Sequence, residues 1–334
     1  FEITPPVFLG LSESVYLFPD NQARTVEVSV KAGKAGIKGK LGLGTAEGWS
    51  VSPAEQEVSL DAPGQEKKYR FTITPPKVPG QSALQAVLTA GGKAYHKELV
   101  RIDYDHFPPQ MVLKDSFAKV IRVNLEKKGE RIAYIMGAGD EVPESLEQIG
   151  YRVDILNPGS ITAGQLEAYD ALITGVRAYN TVKELQFIQP VLLDYVQKGG
   201  TMIVQYNTSG GLVTDRIAPY PLEISRDRVT EEDSKVTLLD PSHPVLNYPN
   251  KISGKDFEGW VQERGLYFPD RWDEAYTALL STSDTGESAK KGGLLVAPYG
   301  KGYFIYTGYS WFRELPAGVP GAFRLFSNMI SIGK

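Results

Sequence analysis

Polar and apolar residues alternate strictly through Arg24-Thr25-Val26-Glu27-Val28-Ser29-Val30, which places Val26, Val28 and Val30 on one face. A period of two is the mark of a half-buried strand. The period returns over 67–73, with Tyr69, Phe71 and Ile73 turned inward, and 84–89 and 98–102 predict two further strands. Gly48-Trp49-Ser50-Val51 ahead of Pro53 sets a tryptophan at the start of a strand, where it plugs one end of a core. About seven short strands without a helical stretch predict an all-β, immunoglobulin-like sandwich over residues 1–106. Ile3-Thr4-Pro5-Pro6 and Ile73-Thr74-Pro75-Pro76 read as two strand ends stopped by prolines rather than as a repeat. With no row of surface aromatics on either sheet, the sandwich reads as a spacer before a binding module.

Residues 107–130 mix prolines, charges and isolated apolar positions and are expected to connect two domains. After Glu130 the texture changes. Arg131-Ile132-Ala133-Tyr134-Ile135-Met136 predicts a strand, and a helix follows with Pro143 in its first turn and Gly150 as its stop. Strands are expected at 151–156, 169–174 and 201–205, with a helix from Thr181 to about Lys198 opened by a Thr181/Glu184 capping box and ended by Gly199-Gly200. A hairpin at 294–307 and a closing helix at 322–332 complete the domain, 131–334. Such alternation predicts a mostly parallel sheet with helices on both faces. Ligands of such sheets bind beyond the carboxyl ends of the strands, which nominates the loops 137–142, 175–180, 206–211 and 308–314.

Composition narrows the chemistry. The 334 residues carry 36 Lys+Arg against 40 Asp+Glu, a net charge of −4, without the concentrated positive field that nucleic acid or an anionic membrane demands. Zero cysteines exclude a disulfide framework, a thiolate nucleophile and a Cys-ligated metal, and three histidines leave little for a multi-His site. No cofactor and no metal are expected. No apolar run is long enough for a membrane helix. The start at Phe1-Glu2-Ile3 without Met reads as a piece of something longer.

Gly137-x-Gly139 follows a strand, but Val142 stands where a dinucleotide fingerprint has its third glycine and Asp140 would repel a pyrophosphate, so a tight turn is the better reading. Ser310 in Gly308-Tyr309-Ser310-Trp311-Phe312 lacks the second glycine of a nucleophile elbow. His243, between prolines, is a turn residue or a lining acid/base group. In 256–265, Glu258 and Glu263 are candidates for an acid/base pair, with Arg264 neutralising a neighbouring carboxylate in a solvated loop as the plainer account. Tyr309, Trp311 and Arg313 alternate after a strand and either stack on a sugar or cap the sheet.

The segments Tyr169-Asp170-Ala171-Leu172-Ile173-Thr174-Gly175, Gly199-Gly200-Thr201-Met202-Ile203-Val204-Gln205-Tyr206-Asn207, Ser242-His243-Pro244-Val245 and 300–308 resemble the class I glutamine-amidotransferase-like superfamily, in its trehalose-utilisation (ThuA-like) branch. The resemblance implies a flavodoxin-like α/β domain. Active amidotransferases place a cysteine where this chain has Tyr206 or Asn207, so glutamine hydrolysis by that route is ruled out. More closely, 132–143 and 260–268 are similar to the carboxy-terminal region of multidomain PIG-L family deacetylases, whose zinc site rests on a His-Pro-Asp-Asp-like run; here His243-Pro244 is followed by Val245.

The resemblance implies an accessory region, a catalytically silent pseudoenzyme preceded by a sandwich. It binds a carbohydrate or other small polar ligand, or supports an amino-terminal catalytic domain of the parent hydrolase, in the periplasm or at the cell surface. The expected ligand-binding residues are Arg177, Tyr179, Tyr206, Asn207, Tyr309 and Trp311, with His243 and Glu263 next. Two alternatives stay open: a hydrolase using Glu258, Glu263 and His243, and an oligomerisation scaffold.

Overall fold

The computed structural model describes residues 4–334, so Ile3 of the first Ile-Thr-Pro-Pro segment lies outside the described residues. The chain divides into two units, with the boundary between Asn124 and Leu125.

In the first unit, Val7–Leu11, Arg24–Ala32, Glu66–Thr74 and Ser50–Ser52 form one antiparallel sheet. Val15–Phe18, Phe117–Arg122, Gly80–Ala90, Ile37–Gly44 and Glu55–Leu60 form a second, with Lys93–Tyr95 beside Gly80–Ala90. The period-two faces of both sheets meet in one core: Val26, Val28, Val30, Phe71 and Ile73 from one, Leu41, Leu84, Leu88 and Val120 from the other, all 0% exposed. Burial of each such side chain contributes about 1.5–3 kcal/mol. Trp49 meets Phe18 edge-on at 5.2 Å and closes one end. Residues 107–130 are more ordered than a connection. Phe107–Asp115 pairs with Lys97–Tyr104 in a separate hairpin, and Phe117–Arg122 enters the core sheet, because Ala118, Val120 and Ile121 are needed there to cover apolar neighbours.

The second unit holds a seven-stranded sheet in the order Arg152–Ile155, Arg131–Ile135, Ala171–Thr174, Thr201–Val204, Gly302–Thr307, Leu294–Tyr299, Thr277–Ala278. The first five strands are parallel and the last two antiparallel. Every residue of Ala171–Thr174 and Thr201–Val204 is buried, as expected of strands without a solvent face.

The expectation of a flavodoxin-like, amidotransferase-like α/β domain is corrected. The protein is mostly β, 41% strand and 17% helix. Only Leu185–Gln197 and Pro320–Ser331 exceed seven residues among the described α-helices. Between Val204 and Leu294 the chain builds two-stranded ribbons, Leu222–Val229 with Gly265–Trp272 and Thr237–Leu238 with Leu280–Ser281, instead of strand-helix repeats. The physical reason is local: this stretch is dense in Pro, Gly, Asp and Ser, which compete with the helix backbone. The Thr181/Glu184 capping box is also corrected. Thr181 closes the short helix Ala178–Thr181, its hydroxyl donating to the Arg177 carbonyl, and the next helix starts at Leu185 without a side-chain cap.

Candidate functional site

The carboxyl ends of three parallel strands are tied into one floor. The Arg177 amide, just past Ala171–Thr174, donates to the Tyr206 carbonyl at 2.8 Å. The Asn207 side-chain carbonyl accepts from the Tyr179 amide at 2.8 Å and so holds the start of Ala178–Thr181. From the third strand, Tyr134 donates to Asp140 at 2.6 Å and accepts from the Gln205 side-chain amide at 2.8 Å, and Asp140 also accepts from the Val176 and Val142 amides. Burial first, then the Asp140 charge, pushes the Tyr134 hydroxyl well above its ordinary range. Asp140 therefore faces inward as a strut.

Gly137 belongs to this floor. A Cβ there would lie 2.1 Å from the Val176 carbonyl and 2.8 Å from the Ala178 nitrogen. Gly137 thus lets two backbones approach, while Gly139 supplies a left-handed turn at φ 102° in open space. Gly137→Ala is expected to cost about 1–3 kcal/mol through overpacking against rigid backbone. Chemical denaturation measures this, and an unchanged midpoint would refute the close approach.

Above the floor stands an aromatic wall. The Tyr206 and Tyr267 rings stack at 6.1 Å with 7° between planes, and Phe312 lies 5.4 Å from Tyr206. Tyr206 is largely covered, while Tyr267 and Phe312 are half-buried and turn part of their surface outward. Glu263 accepts from Arg313 at 2.7 Å and from the Ser310 hydroxyl at 3.3 Å. The Tyr206 hydroxyl is pushed up by burial, pulled down by the Arg177 and Arg313 cations and pushed up by Glu263, which places all these charges around one phenol. Three non-glycine residues with left-handed backbone, Arg177 at φ 57°, Gln262 at 66° and Tyr267 at 53°, all lie in this neighbourhood. Each such residue costs of order 1–3 kcal/mol and persists only where its surroundings enforce it.

The sequence-nominated residues are distributed as follows. Arg177, Tyr206 and Glu263 meet at this rim. Asn207 is buried scaffold beneath it. Tyr179 is fully buried with its hydroxyl on Gln189. Tyr309 and Trp311 are 1% and 0% exposed, so they cannot touch a ligand. Trp311 donates to the Thr307 hydroxyl at 2.8 Å and packs on Trp260 and Phe326, and Tyr309 sits on Phe268. His243 caps the turn Pro244–Asn247, its Nδ1 accepting from the Val245 amide at 3.2 Å; burial pulls its pKa down and Asp240 pulls it up. Glu258 is exposed. Among the described residues no hydrogen bond or ion pair joins His243, Glu258 and Glu263. The carboxylate-histidine constellation is therefore not assembled.

Arg264 departs from the solvated-loop expectation. It is 3% exposed, donates to the Ser234 carbonyl at 3.0 and 2.7 Å and to the Phe257 carbonyl at 2.6 Å, and lies 5.3 Å from the Trp260 ring. Gln262, Tyr267 and Phe312 were not legible as site residues, because a left-handed backbone leaves no mark in the sequence unless glycine or asparagine occupies it. Among the described residues no three His, Asp or Glu side chains cluster as metal ligands, and no helix is long and apolar enough to cross a membrane.

No protein family matches the chain, and no curated protein does. Among solved structures it is similar to a protein assigned as a GMP synthase component from Thermoplasma acidophilum, at 11% identity and a TM-score of 0.40, covering 61% of this chain and 96% of that one. A second similarity is to Escherichia coli alpha-2-macroglobulin, at 12% identity and a TM-score of 0.25, covering 38% of this chain and 7% of that one. A third is to an MSP family member from C. elegans, at 11% identity and a TM-score of 0.21, covering 34% and 97%. Likenesses this weak assign neither ancestry nor activity.

Proposed function

We propose that this chain is a non-catalytic accessory region of a carbohydrate-processing, PIG-L-type deacetylase, located in the periplasm or at the cell surface, and that it holds a sugar-like ligand at the rim of Arg177, Tyr267 and Phe312. One observation carries the reading: two left-handed non-glycine residues, Arg177 and Tyr267, flank Tyr206 in the same aromatic, ion-paired rim, and a third, Gln262, directly precedes its Glu263. Strain kept at one place is a common property of binding sites. Half-exposed rings offer flat faces for the C–H surface of a sugar, and the Glu263–Arg313 pair and Arg177 offer hydrogen bonds to its hydroxyls. Turnover is disfavoured chemically. The chain has no cysteine, burial holds the Tyr206 phenol protonated, and Glu263 is committed to Arg313.

Titration of the purified chain with N-acetylglucosamine oligomers, followed by NMR, tests this. Phe312→Ala is expected to weaken binding about tenfold, the loss of one stacked ring with its buried area. Arg177→Gly is expected to abolish the Arg177 contact yet raise unfolding stability by about 1 kcal/mol, since glycine adopts left-handed φ without penalty. Absence of binding to any neutral or acidic sugar, or acetate release abolished by Tyr206→Phe, would overturn the proposal.

A further inference from the structure

Beside Tyr267 the ribbon Leu222–Val229/Gly265–Trp272 loses its register. Ile224 faces Pro269, Asp227 faces Phe268 and Val229 faces Gly265, so residues 225–226 have no cross-strand partners opposite the Phe268–Pro269 step, and Arg228 and residues 266–267 lie unpaired across from one another in the next. Ser225 fills the gap, donating to the Phe268 carbonyl at 2.7 Å and accepting from the Asp227 amide at 2.9 Å. Bulges re-aim side chains. Here Arg226 and Arg228 come to line, with Leu266 and Tyr267, a recess of about 450 Å³.

The charges around this recess are unequal. Asp227 is held by Lys290 at 3.2 Å, Glu223 by Arg271 at 3.3 Å and Glu263 by Arg313. Asp284 is occupied by the Thr230 and Glu231 amides and the Thr230 hydroxyl. Among the described residues neither Arg226 nor Arg228 forms an ion pair. Two guanidinium-bearing residues thus line a recess whose wall is the left-handed Tyr267, Arg226 without an ion pair and Arg228 offset only by the nearby Asp284 charge, whose pKa it helps to lower. Guanidinium forks match oxyanions bidentately.

We propose that this recess is a subsite for an oxyanion substituent, a sulfate, phosphate or carboxylate, carried by the ligand of the adjoining aromatic rim. The assignment rests on the sugar-binding reading for what carries the anion, and on the bulge and its two arginines for the anion itself. The ring of Tyr267 is shared by both, stacking on Tyr206 on one side and lining the recess on the other.

Calorimetric titration at low salt with N-acetylglucosamine, its 6-O-sulfate, its 6-O-phosphate, glucuronate and inorganic sulfate separates the cases. The acidic sugars are expected to bind about tenfold to hundredfold more tightly than the neutral one, as charge-assisted hydrogen bonds do. The Arg226→Gln/Arg228→Gln double variant should lose that preference while keeping neutral-sugar affinity, and its melting temperature should match the parent because both side chains are exposed. The tightest of the three acidic sugars identifies the substituent. Arginine-dependent binding of inorganic sulfate without any sugar binding would support the subsite and remove the sugar reading. Equal affinity for neutral and acidic sugars would overturn the subsite and leave the sugar reading standing. Binding of no anion at all, or a preference that survives in the double variant, would overturn the subsite as well.

Discussion

Trp311→Ala is expected to destabilise the second unit by about 3–5 kcal/mol, as large-to-small changes of buried aromatics do. The indole is wholly enclosed by Trp260, Tyr309 and Phe326, and its N–H satisfies the Thr307 hydroxyl, so truncation leaves both a cavity and a lost hydrogen bond. Urea unfolding followed by fluorescence measures this loss. The same variant, at a temperature where it remains folded, is expected to bind ligand with unchanged affinity per folded molecule, whereas Phe312→Ala should show the reverse pattern. A Trp311→Ala protein of parental stability with abolished sugar binding would return this residue to the ligand site and contradict the packing described above.

The second large effect is on pH dependence and centres on Glu314. This carboxyl is 0% exposed, both its oxygens lie within 3.3 Å of the Val261 amide, and burial pushes its pKa from the ordinary 4.5 up to about 8 against the opposing pull of that amide and of Arg264. In the folded protein Glu314 therefore holds its proton between those two values, while the unfolded chain has released it. Unfolding liberates a proton throughout that window. The stabilisation is complete below about pH 4.5, declines as pH rises through the folded-state value, and is lost above about pH 8. At about 1.4 kcal/mol per pH unit, the fall across the window is of order several kcal/mol.

Glu314→Gln keeps an acceptor for Val261 and cannot ionise. It is expected to match the parent near pH 5, to exceed it near pH 8 and to remove the decline. His243 acts in the opposite sense: its lowered pKa makes stability rise with pH in the acid range, so the difference between parent and variant, rather than either curve alone, isolates Glu314. Guanidinium unfolding at a series of pH values reads the difference directly. Parallel curves for the two proteins would refute the buried protonated carboxyl.

The candidate site was legible only in outline. Strand-end loops nominated Arg177 and Tyr206 because a strand and its exit leave local signatures, an apolar run followed by glycine. Tyr309 and Trp311 were nominated by the same rule and proved to be core. Sequence position puts an aromatic residue beside a crevice but not inside or outside it, and the neighbours that decide this, Trp260, Phe268 and Phe326, come from distant parts of the chain. Glu263 looked like half of an acid/base pair, and its pairing with Arg313 across fifty positions made it a fixed polar contact.

By itself the sequence determined what is local: the period-two faces of Arg24–Ala32 and Glu66–Thr74, the apolar strands around Ile132 and Met202, the hairpin that returns through Gly302, and the exclusion of thiol chemistry by an absence of cysteine. These follow from side-chain periodicity and atom inventory, which neighbours along the chain suffice to express. Tertiary structure alone decided the two-stranded ribbons that stand in place of strand-helix repeats in the second unit, the burial of Glu314 and Arg264, the slipped ribbon that carries Arg226 and Arg228, and the left-handed backbone of Arg177, Gln262 and Tyr267. Each of these is a balance between local preference and long-range packing. Where packing outweighs a backbone cost of order 1–3 kcal/mol, the local pattern carries no trace of the outcome.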